Sequence, residues 1–372
     1  MFRIFDRYLF KNFLVPFLYA LFGMIAIWLI YDLGENTATF QDAHLRTGTI
    51  FLFYLTQLPY VLVTWMPLAV LLGLLYVLTR MSRRNEIVSM LGAGVSVTRV
   101  LLPLVLTGLA LTGFCTFLNY ELAPKGQYAE NYMIDEVSKG RSKTTQLDGH
   151  LYVNRTEHRA WFIQHLNTKT EEITGVEVTQ EDPHGVILFK IYGRRAVHDR
   201  FKNVWTFYDG KITHVDNTGD VVDEQFFDKK DITGWSESAW QLGSSALKGK
   251  MMTVPQLEHY LRANADFPES NLAEYQTQLW YRFALPWNVL VVILVASPMC
   301  IVFSRRGVFG GVAGGLFLFI GLFASTNIFL ALGQGSRIIP VVAAWAPAAS
   351  FLLIGLVFLY LRTTNRPLPI LG

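Results

Sequence analysis

Only two cysteines occur in 372 residues, Cys115 and Cys300, and both fall in apolar runs. The polar part of the chain therefore has no disulfide framework and no thiolate metal site, and must be held by its own core. Charge is scarce as well, at 16% of residues against 52% hydrophobic, an imbalance beyond what one soluble core needs. A formal net charge of +3, carried by short basic loops, offers no surface for nucleic acid. A phosphate-cradling GxxxxGK[ST] loop is missing. The nearest approach, Gly243 to Met251, has one residue too many before Gly249-Lys250 and Met where Ser or Thr must follow. The sequence also lacks an HExxH pair and a nucleophile elbow, which speaks against an enzyme. His150, His158, His165, His184, His198 and His214 show no ligand spacing, so no metal site is expected. No ionisable residue is evident at the middle of the apolar runs, which argues against proton or sodium coupling. Gln57 and Asn327 are neutral and suited to joining helices.

What is present in quantity is long apolar sequence. Six stretches can each cross about 30 Å of hydrocarbon, which takes roughly 20 helical residues. They are Phe13–Leu33, Ile50–Thr79, Val100–Leu122, Phe283–Phe303, Val308–Leu332 and Ile338–Leu361. The first follows Arg3, Arg7 and Lys11 but is too long for a signal-peptide core and lacks a cleavage site, so it is expected to be retained. Arg80, Arg83, Arg84, Arg99, Arg305, Arg306, Arg362 and Arg366 collect at the even turns and the C-terminus, whereas the short odd turns carry Arg46 and Arg337. Both termini are then cytoplasmic and the large polar insertion lies outside. The plan is three spans and a cytoplasmic helix over 1–124, an exported domain over 125–272, and three spans over 273–372.

Runs rich in β-branched and aromatic residues make the insertion a β-domain: Leu151–Val153, Ala160–Leu166, Ile173–Val178, Val186–Tyr192, Val204–Tyr208 and Lys211–Val215. Asp209-Gly210 is expected to form a tight hairpin between the last two, and Asp182-Pro183-His184-Gly185 a second turn. The spacing of Leu257, Tyr260 and Leu261 predicts a helix over Val254–Arg262. Pro59 and Pro67 should bend the second span. Gly310, Gly311, Gly314 and Gly315 form two small-xxx-small pairs, open to packing within this bundle or to a mobile contact with a second subunit. Between the second and third spans, Arg83 to Gly94 predicts a short helix with Asn85 as cap and an apolar face of Ile87, Met90 and Leu91. That face suits either the membrane surface or a partner's groove.

Asp6-Arg7-Tyr8 at the start, Glu86, Val88, Met90 and Gly94 in the loop, Tyr275, Leu279, Arg282 and Pro286 entering the fourth span, and Trp345 with Pro347 in the sixth complete a pattern. It resembles the LptF/LptG permease family of lipopolysaccharide export over nearly the whole chain, with the opening triplet favouring the LptG branch. The resemblance implies an inner-membrane ABC-type permease with a periplasmic β-jellyroll-like domain, whose ATP and Mg are used by a separate LptB-like ATPase dimer. It implies a second LptF/LptG-like subunit, a possible single-helix LptC-like accessory protein, and lipopolysaccharide or a related lipid as cargo. Arg84, Glu86, Val88, Met90 and Gly94 become the ATPase-coupling candidates. Trp28, Gly310, Gly311, Gly314, Gly315, Phe317, Phe319 and Phe323 become candidates for a lateral lipid gate between the first helix of one permease and the fifth of the other. The family's basic residues near the outer ends of the first and third helices are replaced here by Leu29, Asp32, Glu35 and Asn36, then Met133 and Glu136. Arg46, Lys125, Lys139, Arg141 and Lys143 stand nearby as headgroup candidates, or the cargo carries fewer phosphates. A membrane scaffold whose β-domain binds an envelope partner without transport, and an exporter of another lipid or lipoprotein, are the competing readings.

Overall fold

The computed structural model describes residues 4–42, 44–131, 146–167, 170–199, 204–216, 221–244, 248–265, 267–301 and 307–364. Its contacts divide the chain into two units, one of Met1–Gly140, Gly249–Leu257 and Glu269–Gly372, the other of Arg141–Lys248 and Glu258–Pro268. The helical unit thus takes in Gly249–Leu257, which polarity alone assigns to the insertion.

In the helical unit, α1 (Ile4–Asp42), α2 (Thr47–Arg83), α3 (Glu86–Gly92), α4 (Val97–Phe117), α5 (Ala123–Asn131), α8 (Glu269–Ala284), α9 (Asn288–Cys300), α10 (Gly307–Gln334) and α11 (Pro340–Thr363) provide six helices long and apolar enough to cross a membrane. The third joins α4 to α5 through a π turn at Leu118–Leu122, and the fourth joins α8 to α9 through a 3₁₀ turn at Leu285–Trp287. Two expectations shift. The first helix runs from Ile4 to Asp42, beyond Phe13–Leu33, and the fourth begins at Glu269, well before Phe283. Hydropathy misses α8 because it is amphipathic, with Leu272, Ala273, Thr277, Gln278 and Arg282 buried on one face.

Burial explains the arrangement. Residues Val289–Ile293 and Val295–Cys300 of α9 are all buried, the mark of a helix that is apolar all round and enclosed by others. On α1 a ridge at fourfold spacing, Leu9, Phe13, Phe17 and Leu21, is buried, and a Cβ at Gly73 of α2 would lie 2.9 Å from the Phe17 backbone. Glycine is what lets α1 and α2 approach so closely.

The other unit holds one antiparallel sheet of β1 (Gln146–Asn154), β2 (Arg159–Asn167), β3 (Glu172–Glu181), β4 (Ile187–Asp199), β5 (Val204–Val215) and β6 (Val221–Thr233), paired in sequential order. Among the described strands no Greek-key crossover interrupts this meander. Trp161, Trp205, Phe207 and Trp235 form its buried aromatic centre, with the Trp161 and Trp205 rings 4.9 Å apart. The turn at Asp182 forms as expected: its Oδ1 accepts from the His184 and Val186 amides, which holds the carboxyl below its usual range. Asp209-Gly210 does not turn. Both residues lie inside β5, Gly210 pairs with Gly193 and with Phe227, and only Asp209 takes a positive φ of 48°. Ladders on both sides outweigh the local preference of the pair, and the strand absent from the sequence-based set is β6, whose mixed polarity hides its period. Also in order are α6 (Ala239–Ser244) and α7 (Val254–Ala263), the latter matching the predicted helix.

Gly73→Val should drive a branched side chain into the Phe17 backbone and cost about 1–3 kcal/mol or more. The check is the thermal midpoint of the detergent-purified full chain, expected to fall well below that of Gly23→Ala, since nothing lies within 4 Å of a Cβ at Gly23.

Candidate functional site

The segment between α2 and α4 is clasped from both sides by the first turns of α1. Ser96 caps α4, its Oγ accepting from the Arg99 amide, and so sets the Arg99 side chain in the first turn. Arg99 Nη2 then donates to Asp6 Oδ2 at 2.8 Å, and Nη1 lies 2.8 Å from Oδ1 in the same ion pair, with the Asp6 side chain 5% exposed. Two residues on, the Tyr8 hydroxyl donates to Glu86 Oε2 at 3.0 Å. The triplet singled out at the N-terminus therefore has a geometric meaning: its first and third members hold the two ends of the α3 segment.

Glu86 sits at the first position of α3, 24% exposed and 4.0 Å from the more exposed Arg84. Asn85 is not the expected side-chain cap; it takes a left-handed conformation at φ 58° and makes no capping bond. Gly94, with φ +84°, ends the helix, its amide reaching Leu91 O while Val95 reaches Met90 O. The face of Ile87, Met90 and Leu91 is a correction too, since Ile87 is buried and the other two pack against this chain's own core. Val88 and Ser89 are left facing outward.

The gate candidates divide. A Cβ at Gly311 would collide with Met299 O, and one at Gly315 would meet Leu75 at 3.2 Å, so these two glycines pack within the bundle. Gly314 is buried and Gly310 half-buried, whereas Phe317 and Phe323 are 74% and 61% exposed. Phe319 is half-buried against the core. Trp28 on α1 meets Tyr54 edge to face at 5.8 Å. Of the headgroup candidates, Arg46 is exposed before α2, Lys125 is paired with Glu121 one turn away, and Lys139, Arg141 and Lys143 lie outside the described residues.

A polar site absent from the sequence-based candidates lies between α2, the third helix, α8 and α10. Arg282, 6% exposed, donates to Asn119 Oδ1 at 3.2 Å, to Lys250 O, and to Met252 O at 3.5 Å, while Asn119 Nδ2 returns a bond to Arg282 O at 2.7 Å. Asn119 lies in the π turn, where one extra residue reorients the helix face. These residues border a cavity of about 290 Å³ that also touches Tyr60, Gln278, Phe319 and Thr326. Asn327 lines it as well, its amide bonded back to Phe323 O of its own helix instead of joining two helices. A signal for the site exists in the sequence: Arg282 stands in the family pattern, but a span begun at Phe283 leaves it outside the membrane.

Residues 7–362 match the family described as lipopolysaccharide export system permease LptF/LptG. The chain is 24% identical over 370 residues to lipopolysaccharide export system permease protein LptG of Escherichia coli strain K12, covering 95% of this chain and 97% of that protein. The protein of the same name from Haemophilus influenzae is 22% identical over 311 residues, covering 80% of this chain and 81% of its own. The chain belongs to the LptF/LptG family.

Asp6→Ala leaves Arg99 without its carboxylate partner, while Tyr8→Phe removes one hydrogen bond with a net worth of about 0.5–1.5 kcal/mol. Amide exchange measured by mass spectrometry should speed up across Glu86–Gly92 in both variants and across the first turn of α4 only in Asp6→Ala. Equal protection in wild type and Asp6→Ala would remove the clasp from the account.

Proposed function

We propose that this chain is one of two permease subunits of a lipopolysaccharide exporter in the bacterial inner membrane, driven by a separate cytoplasmic ATPase. The observation that carries the reading is the α3 clasp: a helix tied to α1 and α4, with Glu86 at its start and Val88 exposed, on a family member without a nucleotide loop of its own. A seated partner helix or groove that meets Val88 and Glu86 would pull on α1 and α4 together, so motion of an LptB-like ATPase dimer, using ATP and Mg, reaches the membrane helices directly.

The basic short loops support cytoplasmic termini and a periplasmic β-unit. The gate is assigned to α1 and α10. Only 17% of the most apolar stretch of each is buried, against 67% in α2 and 72% in the fourth helix. Apolar surface left open in this way suits a second LptF/LptG-like subunit and lipid between the two, with Phe317 and Phe323 towards acyl chains. An LptC-like helix is the third expected partner.

Glu86→Ala should lose a charge-assisted bond to a partner cation, worth roughly 2–5 kcal/mol when shielded by docking, and Glu86→Lys should lose more by setting like charges together. ATPase retained on the purified permease pair is the measurement, with Glu258→Ala, whose side chain pairs with Arg262 on α7, as the control. Full ATPase retention and full lipid export in both Glu86 variants would sink the coupling role.

A further inference from the structure

We propose that the cavity beside Arg282 is an anion site for a phosphate-bearing lipid headgroup, with the Arg282 guanidinium and the Lys250 ammonium as its cationic groups. The proposal rests on the lipid-export reading and adds a recognition site to it. Three observations carry it. First, the cavity-lining residues include two cations and no carboxylate. Second, Arg282 is buried, yet its described acceptors are the neutral oxygens of Asn119, Lys250 and Met252, and its Nε is a buried donor with no acceptor among the described residues. A buried charge is ordinarily matched by an opposite one, so a guanidinium held among neutral dipoles beside a cavity is a site prepared for an anion. Third, the lining is two-sided: Lys250, Gln127, Asn119 and Gln278 offer polar groups, while Leu285, Phe319, Leu322 and Leu330 offer hydrocarbon.

A purely structural role for Arg282 would be to hold the Lys250–Met252 carbonyls against Asn119. Neutral amide donors can do that without the cost of a buried charge, so holding those carbonyls does not account for the charge. The size narrows the ligand. A cavity of about 290 Å³ is at the small end for organic ligands, enough for a phosphate with part of the backbone that bears it and too small for a whole multi-chain lipid. The rest of the lipid then extends past Phe323, which is exposed at the cavity's edge. Planar guanidinium recognition of phosphate, together with a flexible ammonium at the rim, is the usual division of work between the two side chains.

The test uses the complete permease–ATPase complex in nanodiscs, with lipid occupancy read by native mass spectrometry. The probes are diphosphorylated lipid A, the same lipid without phosphates, and inorganic phosphate. Arg282→Gln should lower occupancy by the diphosphorylated lipid by roughly fivefold or more, as expected for loss of a hydrogen bond to a charged group. Lys250→Gln keeps the carbonyl that Arg282 uses and should lower it by about twofold to fivefold, the range of an exposed ion pair. Occupancy by the phosphate-free lipid should be the same in all three proteins, and Arg337→Gln should change nothing. Millimolar inorganic phosphate that leaves the bound lipid in place assigns the site to the headgroup, whereas phosphate that empties it overturns the lipid assignment in favour of the free ion. Unchanged occupancy of the diphosphorylated lipid in folded Lys250→Gln and Arg282→Gln overturns the site and leaves the export function standing. A wild-type complex that binds neither lipid A overturns both.

Discussion

Inside hydrocarbon, any carbonyl released by a break in a helix has to be answered by a donor from the same bundle, because no water reaches it. The helical unit is organised around where those breaks fall. Where α9 ends beside Pro298, Arg362 Nε donates to Pro298 O at 3.0 Å and the Ser82 hydroxyl donates to Cys300 O at 3.1 Å, tying α11 and α2 to the central helix. Where the third helix widens into its π turn, Asn119 and Arg282 answer each other across the gap and Arg282 reaches on to the Lys250–Met252 carbonyls. Each break is therefore also a joint between helices that are distant in sequence.

Polar groups at these joints stand out against an apolar interior, and they fall at two levels of the molecule. One level is the α3 segment with its charged clasp, where Asp6 and Arg99 neutralise each other and Tyr8 steadies Glu86. The other is the cavity of Arg282, where no carboxylate is present among the lining residues. The contrast separates the two sites chemically: the first is a closed pair suited to transmitting force, the second an open charge suited to receiving an anion. Along the α1–α2 seam, Leu9, Phe13, Phe17 and Leu21 are buried, and Phe17 lies against Gly73.

Much of this plan is legible in the sequence because bilayer thickness imposes a length that only six stretches meet. The amphipathic α8 is not, since half its surface is polar and a hydropathy window averages the two faces away. Asp209-Gly210 misleads for a different reason. Turn preference is a local quantity of about a kilocalorie, whereas β5 is paired along both edges, and the ladder decides. The coupling candidates show in their pattern, but the roles of Asn85 and Gly94 as left-handed positions, and of Ile87 as a core residue, depend on tertiary contacts that spacing does not encode. Arg282 is visible only as a member of a pattern, because its burial comes from Lys250 and Asn119, which are far from it in the chain.

The length of α1 has a mechanical consequence. Thirty-nine residues at 1.5 Å each make a helix of about 58 Å, roughly twice the hydrocarbon thickness, so a substantial fraction of it stands outside the bilayer core. It is gripped near one end, at Asp6 and Tyr8, by the segment that carries Glu86. Such a rod behaves as a lever with its short arm at the grip. A rotation of about 5° there, well within ordinary hinge motion, would sweep the far end through about 5 Å, the pitch of one helical turn. Leverage of this kind converts a small displacement at one surface into a movement at the other that is wide enough to separate neighbouring helices.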